Sequence, residues 1–592
     1  MTSGLTIVIS PLLALMKDQE HNLRRRGIAA RRLDSSLSSE EVSVVLQELQ
    51  DQTLKILFVS PERFSQAPFL RRLKSQALSL VSIDEAHCIS EWGHTFRPDY
   101  LKIAQALKKL PPSPVLALTA TATPRVSRDI CKSFRIDSMN HIQTGFHRPH
   151  LALSIQQVTQ ESRDEVLLSH LRSHPNEPTI IYVTRQMTTE FLTTYLKRQG
   201  ISQVRSYHAG MGIQKRQEIQ EEFMSGRCQI IVATIAFGMG IDKADIRYVY
   251  HYNLPKSFEN YIQETGRAGR DRNPARGVML ACADDFRVLE NFIYARRPSS
   301  HSIAELSFMC LGADHVLLNR YEVSTSLDIK QEVIESILVF LELKGFIKPL
   351  GKRFDEYTIT LLQPLHKVFQ GRSKKQRSLL ELLFTESTRS PKKHTNYLCN
   401  ISDFTLEYSV SEKQLIALLK ELEAMGEVAL KPRKFLCMHK LTKKGQQTTP
   451  VALKHLIEEY FTQQEERELL RLENISDLIH HSACIEQTLL RYFGDETPPC
   501  NQCSHCVGER PAEDLLRTSA DTLTQLEIES LHTLYRQKHA SLSSALQLTK
   551  FLCGITSPAT TRARLTTTHD LFGALAHHSF QEVLSHCEAL VT

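Results

Sequence analysis

Residues 81–100 read Val81-Ser-Ile-Asp84-Glu85-Ala-His87-Cys-Ile-Ser90-Glu-Trp92-Gly-His-Thr-Phe96-Arg97-Pro-Asp-Tyr100. They join a short apolar run to two adjacent carboxylates and then to the single tryptophan of the chain. An apolar run ending in acidic residues reads as a buried strand that delivers Asp84 and Glu85 to its C-terminal edge. Asp84 is suited to hold Mg2+ through its water shell, because that ion favours oxygen ligands and keeps several waters. Glu85 is suited to orient and deprotonate an attacking water. Trp92, Phe96, Arg97 and Tyr100 supply flat faces and a cation, the parts that stack on unpaired bases. A nucleotide site and a single-strand sensor would then share one loop.

Outward from this stretch, short Val/Ile/Leu runs alternate with longer helical patterns from residue 5 to about 290. The runs are Leu54–Ser60, Leu80–Ile83, Val115–Thr119, Thr179–Val183, Gln229–Thr234 and Tyr248–Tyr252. This rhythm predicts an α/β fold with parallel sheets covered by helices on both faces. It breaks at Gly145-Phe-His-Arg-Pro149 and resumes near Thr179, which predicts two lobes, 1–145 and 146–295, with a hinge between them. A chain of 592 residues requires several domains, and 41% hydrophobic with 23% charged residues is ordinary globular material. The net charge of +6 is too small to decide a partner, so any nucleic-acid surface must come from local clusters. The opening Leu5–Met16 run is too short to span a bilayer, and without a basic leader it reads as a strand entering a helix. Thirteen scattered cysteines do not form a secreted disulfide framework and point to a reducing cytoplasm.

Three further stretches carry chemistry. Thr234-Ile-Ala-Phe-Gly-Met-Gly240-Ile-Asp242-Lys243 follows an apolar run, and its glycines let the backbone approach a phosphate or nucleic acid closely. Gln263-Glu-Thr-Gly-Arg267-Ala-Gly-Arg270-Asp271 then sets two arginines three residues apart, on one face if the segment is helical. Guanidinium groups so placed can neutralise charge developing on a γ-phosphate across a cleft. Near the C-terminus, Cys484 is followed by fifteen residues and then by Cys500-Asn-Gln-Cys503-Ser-His505-Cys506. Four thiolates with two C-x2-C steps suit a structural tetrahedral Zn2+, every position filled by protein; His505 is the less favoured ligand.

Together these residues resemble those of the RecQ-type DNA helicases of superfamily 2. Residues 84–98 are similar to the family's ATPase motif and aromatic-rich loop, and residues 234–243 and 263–271 resemble helicase motifs V and VI. Ser10–Gln19 resembles motif Ia, Ser60–Arg63 motif Ib, Thr119–Thr123 motif III and Ile180–Arg185 motif IV, in the expected order. The cysteine stretch resembles the family's zinc subdomain. The resemblance implies two RecA-like lobes forming an ATP-, Mg2+- and Zn2+-dependent motor. It would step 3′ to 5′ along single-stranded DNA and open forked duplexes in recombination or repair, in the cytoplasm, on the nucleoid in a bacterium. It assigns Asp84 and Glu85 to Mg2+ and water, His87 and Thr119 to coupling, and Arg267 and Arg270 to the γ-phosphate. It assigns Gly240, Asp242 and Gln263 to the nucleotide, and Ser10, Pro11, Trp92, Phe96, Arg97 and Thr234 to DNA. The alternative is an ATP-independent DNA-binding or regulatory protein.

Beyond residue 300 helices dominate. Asp328–Lys344 followed by a basic stretch and Tyr357–Leu361, and then Ser411–Gly426 followed by Val428–Leu441, repeat the outline of a helix and a two-stranded flap. This predicts winged-helix-like modules over 296–370 and 371–450, a zinc-binding helical subdomain over 451–512 and a helical module over 513–592. Lys431, Arg433, Lys434, Lys440, Lys443 and Lys444, with Lys348, Lys352 and Arg353, fall on the flaps and would contact duplex phosphates. The wings precede the zinc subdomain, whereas in the family that subdomain follows the motor. One motif is absent: the chain contains no Gly-Lys-Ser or Gly-Lys-Thr, the phosphate-gripping loop. The expectation is an N-terminally truncated frame, inactive alone and with one sheet edge unpaired.

Overall fold

The apolar runs of residues 5–290 are strands of two parallel sheets. The computed structural model describes residues 4–64, 66–90, 97–145, 147–238, 243–389, 395–509 and 522–591. In the first lobe, β1 (Leu5–Ile9), β2 (Ala30–Leu33), β3 (Ile56–Val59), β4 (Leu78–Ile83) and β5 (Val115–Ala117) lie in the order β2-β3-β1-β4-β5. Ile7, Ile9, Leu57, Val59, Val81 and Ile83 bury one continuous core with helix residues such as Leu49, Tyr100 and Ile130. Helix Pro124–Phe134 is capped by the Thr123 hydroxyl, which accepts from Val126 N. Its Val126, Ile130 and Phe134 recur every four residues and bury one stripe. β5 forms one edge of the sheet, with Leu116 and Leu118 exposed.

The second lobe contains β6 (Leu151–Gln157), β7 (Thr179–Tyr182), β8 (Val204–Tyr207), β9 (Ile230–Ala233), β10 (Tyr248–His251) and β11 (Ala275–Ala281), in the order β6-β11-β10-β7-β9-β8. Successive residues feed opposite faces. Ile180, Ile231, Val249 and Met279 enter one core, and Ile181, Val232, Tyr250 and Val278 the other. The first of these cores is completed by Leu472, Ile475 and Ile479 of helix Pro450–His480 and by Ile485 and Leu489 of helix Ile485–Tyr492. The loop after it runs beside edge strand β6. Ser504 N donates to Leu153 O at 3.1 Å and its hydroxyl accepts from Ile155 N at 3.1 Å, which covers the edge.

The chain forms two compact units, Met1–Tyr294 with Gln463–Leu534 and Gly573–Thr592, and Ala295–Thr462 with Tyr535–Phe572. The expected helical module over 513–592 is therefore divided. Phe580 stacks on Tyr294 with ring centroids 4.2 Å apart in the first unit. In the second, Gln547 donates to Asp328 at 3.0 Å and Lys550 to Arg297 O at 2.6 Å. Short amphipathic helices join whichever core completes their apolar faces, and here two cores do so.

The second unit corrects the expected pair of separate winged modules. β12 (His315–Asn319), β13 (Ile347–Leu361), β14 (Thr388–Arg389), β15 (Asn396–Asn400) and β16 (Val428–Leu441) form a single antiparallel sheet in the order β12-β16-β13-β15-β14. The layout does repeat: short strand, two helices, long strand, with Asn319 and Asn400 both capping the helix that follows. Each expected flap is one long strand, however, and β13 pairs with β16 from Ile347↔Leu441 to Leu361↔Val428. The short strands cross over, β12 to β16 and β15 to β13. Two extended basic ribbons pair with each other because each offers a longer ladder to the other than to itself.

Candidate functional site

Ser10 and Asp84 end the adjacent parallel strands β1 and β4, and Ser10 Oγ donates to Asp84 Oδ2 at 2.9 Å. The other carboxylate oxygen of Asp84 accepts from Glu85 N at 2.9 Å, and its carbonyl accepts from Tyr100 OH at 2.8 Å. Burial, reinforced by the neighbouring Glu85 charge, raises the Asp84 pKa, so a cation there would relieve an unfavourable arrangement. Glu85 has left-handed backbone, φ 50 and ψ 43, which costs a non-glycine residue about 1–2 kcal/mol. The strain is held on both sides, by Asp84 and by Ala86 N donating to Leu118 O at 2.8 Å.

That turn carries the Glu85 side chain toward His87. His87 is buried, and its Nδ1 lies 2.9 Å from Thr119 Oγ1. Glu85 Oε2 is 3.2 Å from the same nitrogen but makes no hydrogen bond. Burial pulls the imidazole pKa down, yet Cys88 and Glu85 outweigh it and push His87 up to about 9. Thr119 Oγ1 also accepts from Thr121 N at 3.2 Å, so a carboxylate, an imidazole and the following strand's loop form one connected line. Ser90 Oγ donates to Asp129 at 2.5 Å and Arg97 N to Cys88 O at 2.9 Å, which ties both ends of the aromatic-rich loop to the same core.

In the second lobe the two arginines part company. Helix Phe258–Thr265 ends before them, so they occupy a turn and share no helical face. Arg267 is buried and donates through Nη1 to Gly238 O. A Cβ at Gly238 would stand 2.6 Å from Arg267 Nη2, so only glycine admits this approach. Arg270 is exposed. Thr234, buried at the end of β9, donates its N–H to Tyr207 O at 3.2 Å and accepts from Phe237 N at 2.9 Å. Gln263 is half-buried on the helix that leads into the arginine turn.

Arg148 holds that turn from beneath, a residue that sequence reading did not single out. Its guanidinium donates to the carbonyls of Gly266, Ala268 and Gly269 at 2.6, 2.8 and 3.1 Å. The neighbouring His147 Nδ1 lies 2.7 Å from Glu486 Oε1, which also accepts from Arg148 N at 3.3 Å. The segment read as a hinge is thus anchored both to the arginine turn and to helix Ile485–Tyr492. The signal available was an arginine inside the break in rhythm.

Cys484, Cys500, Cys503 and Cys506 bring their sulfurs within 4.8 Å of one another, with Cys484 Sγ 3.5 Å from Cys500 Sγ and 3.9 Å from Cys503 Sγ. Zn–S bonds of about 2.3 Å in a tetrahedron separate sulfurs by about 3.8 Å, so the donor set fits Zn2+. His505 turns away and places Nδ1 2.9 Å from Ala483 O.

The DEAD/DEAH box helicase family profile matches residues 1–130, the helicase conserved C-terminal domain residues 162–272, and the RecQ zinc-binding family residues 451–507. In all three regions the chain is similar to RecQ-type DNA helicases. It is 42% identical over 289 residues to the ATP-dependent DNA helicase RecQ of Bacillus subtilis, covering 49% of this chain and 48% of that protein. It is 38% identical over 310 residues to RecQ of Pasteurella multocida, covering 52% and 49%. The chain spans about half the length of these relatives. A solved structure of S. cerevisiae Dbp5 bound to RNA and ADP BeF3 is 18% identical over 48% of this chain and 72% of that one, with a TM-score of 0.40.

Of the residues expected to serve a RecQ-type site, Ser10, Asp84, Glu85, His87 and Thr119 come together at the ends of β1, β4 and β5. Pro11 follows Ser10 and is half-buried, as is Arg97. Trp92, Phe96, Gly240 and Asp242 lie outside the described residues. Among the basic residues of the flaps, Lys348, Lys431, Arg433 and Lys440 are exposed. Arg353 instead turns onto Glu412 and Ser402, and Lys434 lies 3.4 Å from Glu322. No described helix is long and apolar enough to cross a membrane.

Proposed function

We propose that this chain supplies the motor elements of an ATP-dependent, 3′ to 5′ DNA helicase acting on single-stranded and forked DNA in recombination or repair, in the cytoplasm, and on the nucleoid if the cell is bacterial. The observation that carries the reading is the buried Glu85 oxygen that makes no hydrogen bond, held by strained backbone 3.2 Å from an imidazole that reaches Thr119. Magnesium supplies charge neutralisation of the phosphates when bound, and Asp84 with Ser10 would hold its water shell. Glu85 takes the proton of the attacking water. His87, whose pKa is raised, stands 3.2 Å from Glu85 and links it to Thr119, so movement of the Thr119–Thr123 loop is felt at the carboxylate. Arg270 reaches the γ-phosphate, while Arg267 positions the Thr234–Gly238 loop that approaches DNA with Ser10, Pro11, Trp92, Phe96 and Arg97. Gly240, Asp242 and Gln263 line the nucleotide. The four cysteines hold a structural Zn2+ beside β6.

The chain contains no Gly-Lys-Ser or Gly-Lys-Thr, so these residues do not themselves grip the β- and γ-phosphates. That absence favours a second reading, ATP-independent DNA binding. The two are separated by fusing a strand–turn–helix that carries Gly-Lys-Ser/Thr ahead of residue 4 and measuring ATP hydrolysis with and without single-stranded DNA. Stimulated hydrolysis supports the motor. A folded fusion that binds DNA but never turns over ATP supports the second reading.

A further inference from the structure

We propose that Glu527, His577 and His578 form a second metal site, for a borderline divalent ion such as Zn2+, apart from the four cysteines. The three ligand atoms lie within 4.8 Å of one another. Glu527 stands in the first turn of helix Gln525–Arg536, and the two histidines precede helix Phe580–Val591, about fifty residues on.

The carboxylate is fixed before any ion arrives. Its Oε2 accepts from the N–H and hydroxyl of Thr524, both at 2.8 Å. Its Oε1 is left for the imidazoles, with His577 Nε2 and His578 Nε2 each at 3.0 Å. Two imidazole nitrogens converging on one carboxylate oxygen is the arrangement left when two N–H protons stand where one cation fits. Ligand bonds of about 2.0–2.1 Å in a tetrahedron separate donor atoms by about 3.3 Å, close to the distances here. His578 is buried, whereas the His577 side chain is 62% exposed, so the fourth position opens to water. Two His and one carboxylate with an open position is a donor set that Zn2+ accepts. The ion would tie the helix after the zinc subdomain to the final helix, a junction otherwise held by contacts such as Leu523 N to Glu582 at 3.1 Å.

The test is Zn2+ and Co2+ stoichiometry on the full chain with its cysteine site loaded. The expected result is a second equivalent that adds no thiolate-to-cobalt charge-transfer absorbance. It should be lost in His577→Ala/His578→Ala and weakened at least tenfold in Glu527→Gln, which keeps the side chain's shape and so answers any failure of the double variant to fold. One equivalent in the wild-type chain, or a second equivalent unchanged in Glu527→Gln, overturns the proposal and leaves a hydrogen-bonded His–Glu cluster.

Discussion

His87 Nδ1 and Thr119 Oγ1 stand 2.9 Å apart, bridging the loop after β4 to the loop after β5, and Glu85 lies within reach of the same nitrogen. Thr119→Val removes the hydroxyl while keeping the volume. It should cost about 1 kcal/mol in stability. In the phosphate-loop fusion it should reduce stimulation by DNA far more than basal hydrolysis. Equal loss of both rates would reduce Thr119 to an ordinary structural contact.

His87 makes stability depend on pH. Its folded pKa is raised to about 9 from an unfolded 6.5, so its contribution is fully present below pH 6.5 and is lost as pH rises through 9. The amount is on the order of 1–3 kcal/mol. Denaturant midpoints between pH 6.5 and 9.5 should fall more steeply for the wild-type chain than for His87→Gln; parallel curves would mean that His87 is neutral when folded.

Arg267 and Arg270 should behave differently. Arg267→Ala leaves the Gly238 carbonyl without its buried donor and should cost roughly 2 kcal/mol, and Gly238→Ala should damage the same contact. Arg270→Ala should change stability by less than about 0.5 kcal/mol yet reduce ATP hydrolysis in the fusion about 10³-fold. Comparable destabilisation by the two arginine variants would contradict this division.

Removal of zinc should loosen the second lobe itself, because the loop carrying Ser504 lies along β6 and Cys484 and Cys503 belong to that lobe's core. Chelation, or Cys503→Ser, should lower unfolding free energy by more than about 4 kcal/mol in denaturant titrations. An unchanged midpoint would show that the four sulfurs act only as packing.

Lys431→Glu with Arg433→Glu should weaken DNA binding without unfolding the chain and reduce the salt slope of log affinity by about 2. Arg353→Ala should instead destabilise the sheet, since its guanidinium is engaged with Glu412 and Ser402. The salt dependence of fluorescence anisotropy reads the first effect and thermal unfolding the second.

The parallel lobes were legible because buried strands are near-continuous apolar runs such as Ile180-Ile-Tyr and Ile230-Ile-Val, and because carboxylates and serines at their ends mark the C-terminal edge. The pairing of β13 with β16 was not, since alternation shows that a segment is a strand but not which strand, some eighty residues away, it meets. The contrast between Arg267 and Arg270 depends on the close approach of Gly238, which spacing within one motif cannot reveal. Glu527 and the two histidines carry no local pattern at all and meet only because two helices pack.

The most direct measurement is ATP hydrolysis by the phosphate-loop fusion, with and without single-stranded DNA, for wild-type Glu85 and Glu85→Gln. The expected result is hydrolysis stimulated by DNA and reduced about 10²–10⁴-fold by Glu85→Gln, with DNA binding intact. A folded fusion in which Glu85→Gln hydrolyses ATP as fast as wild type would contradict the role of Glu85 as the base.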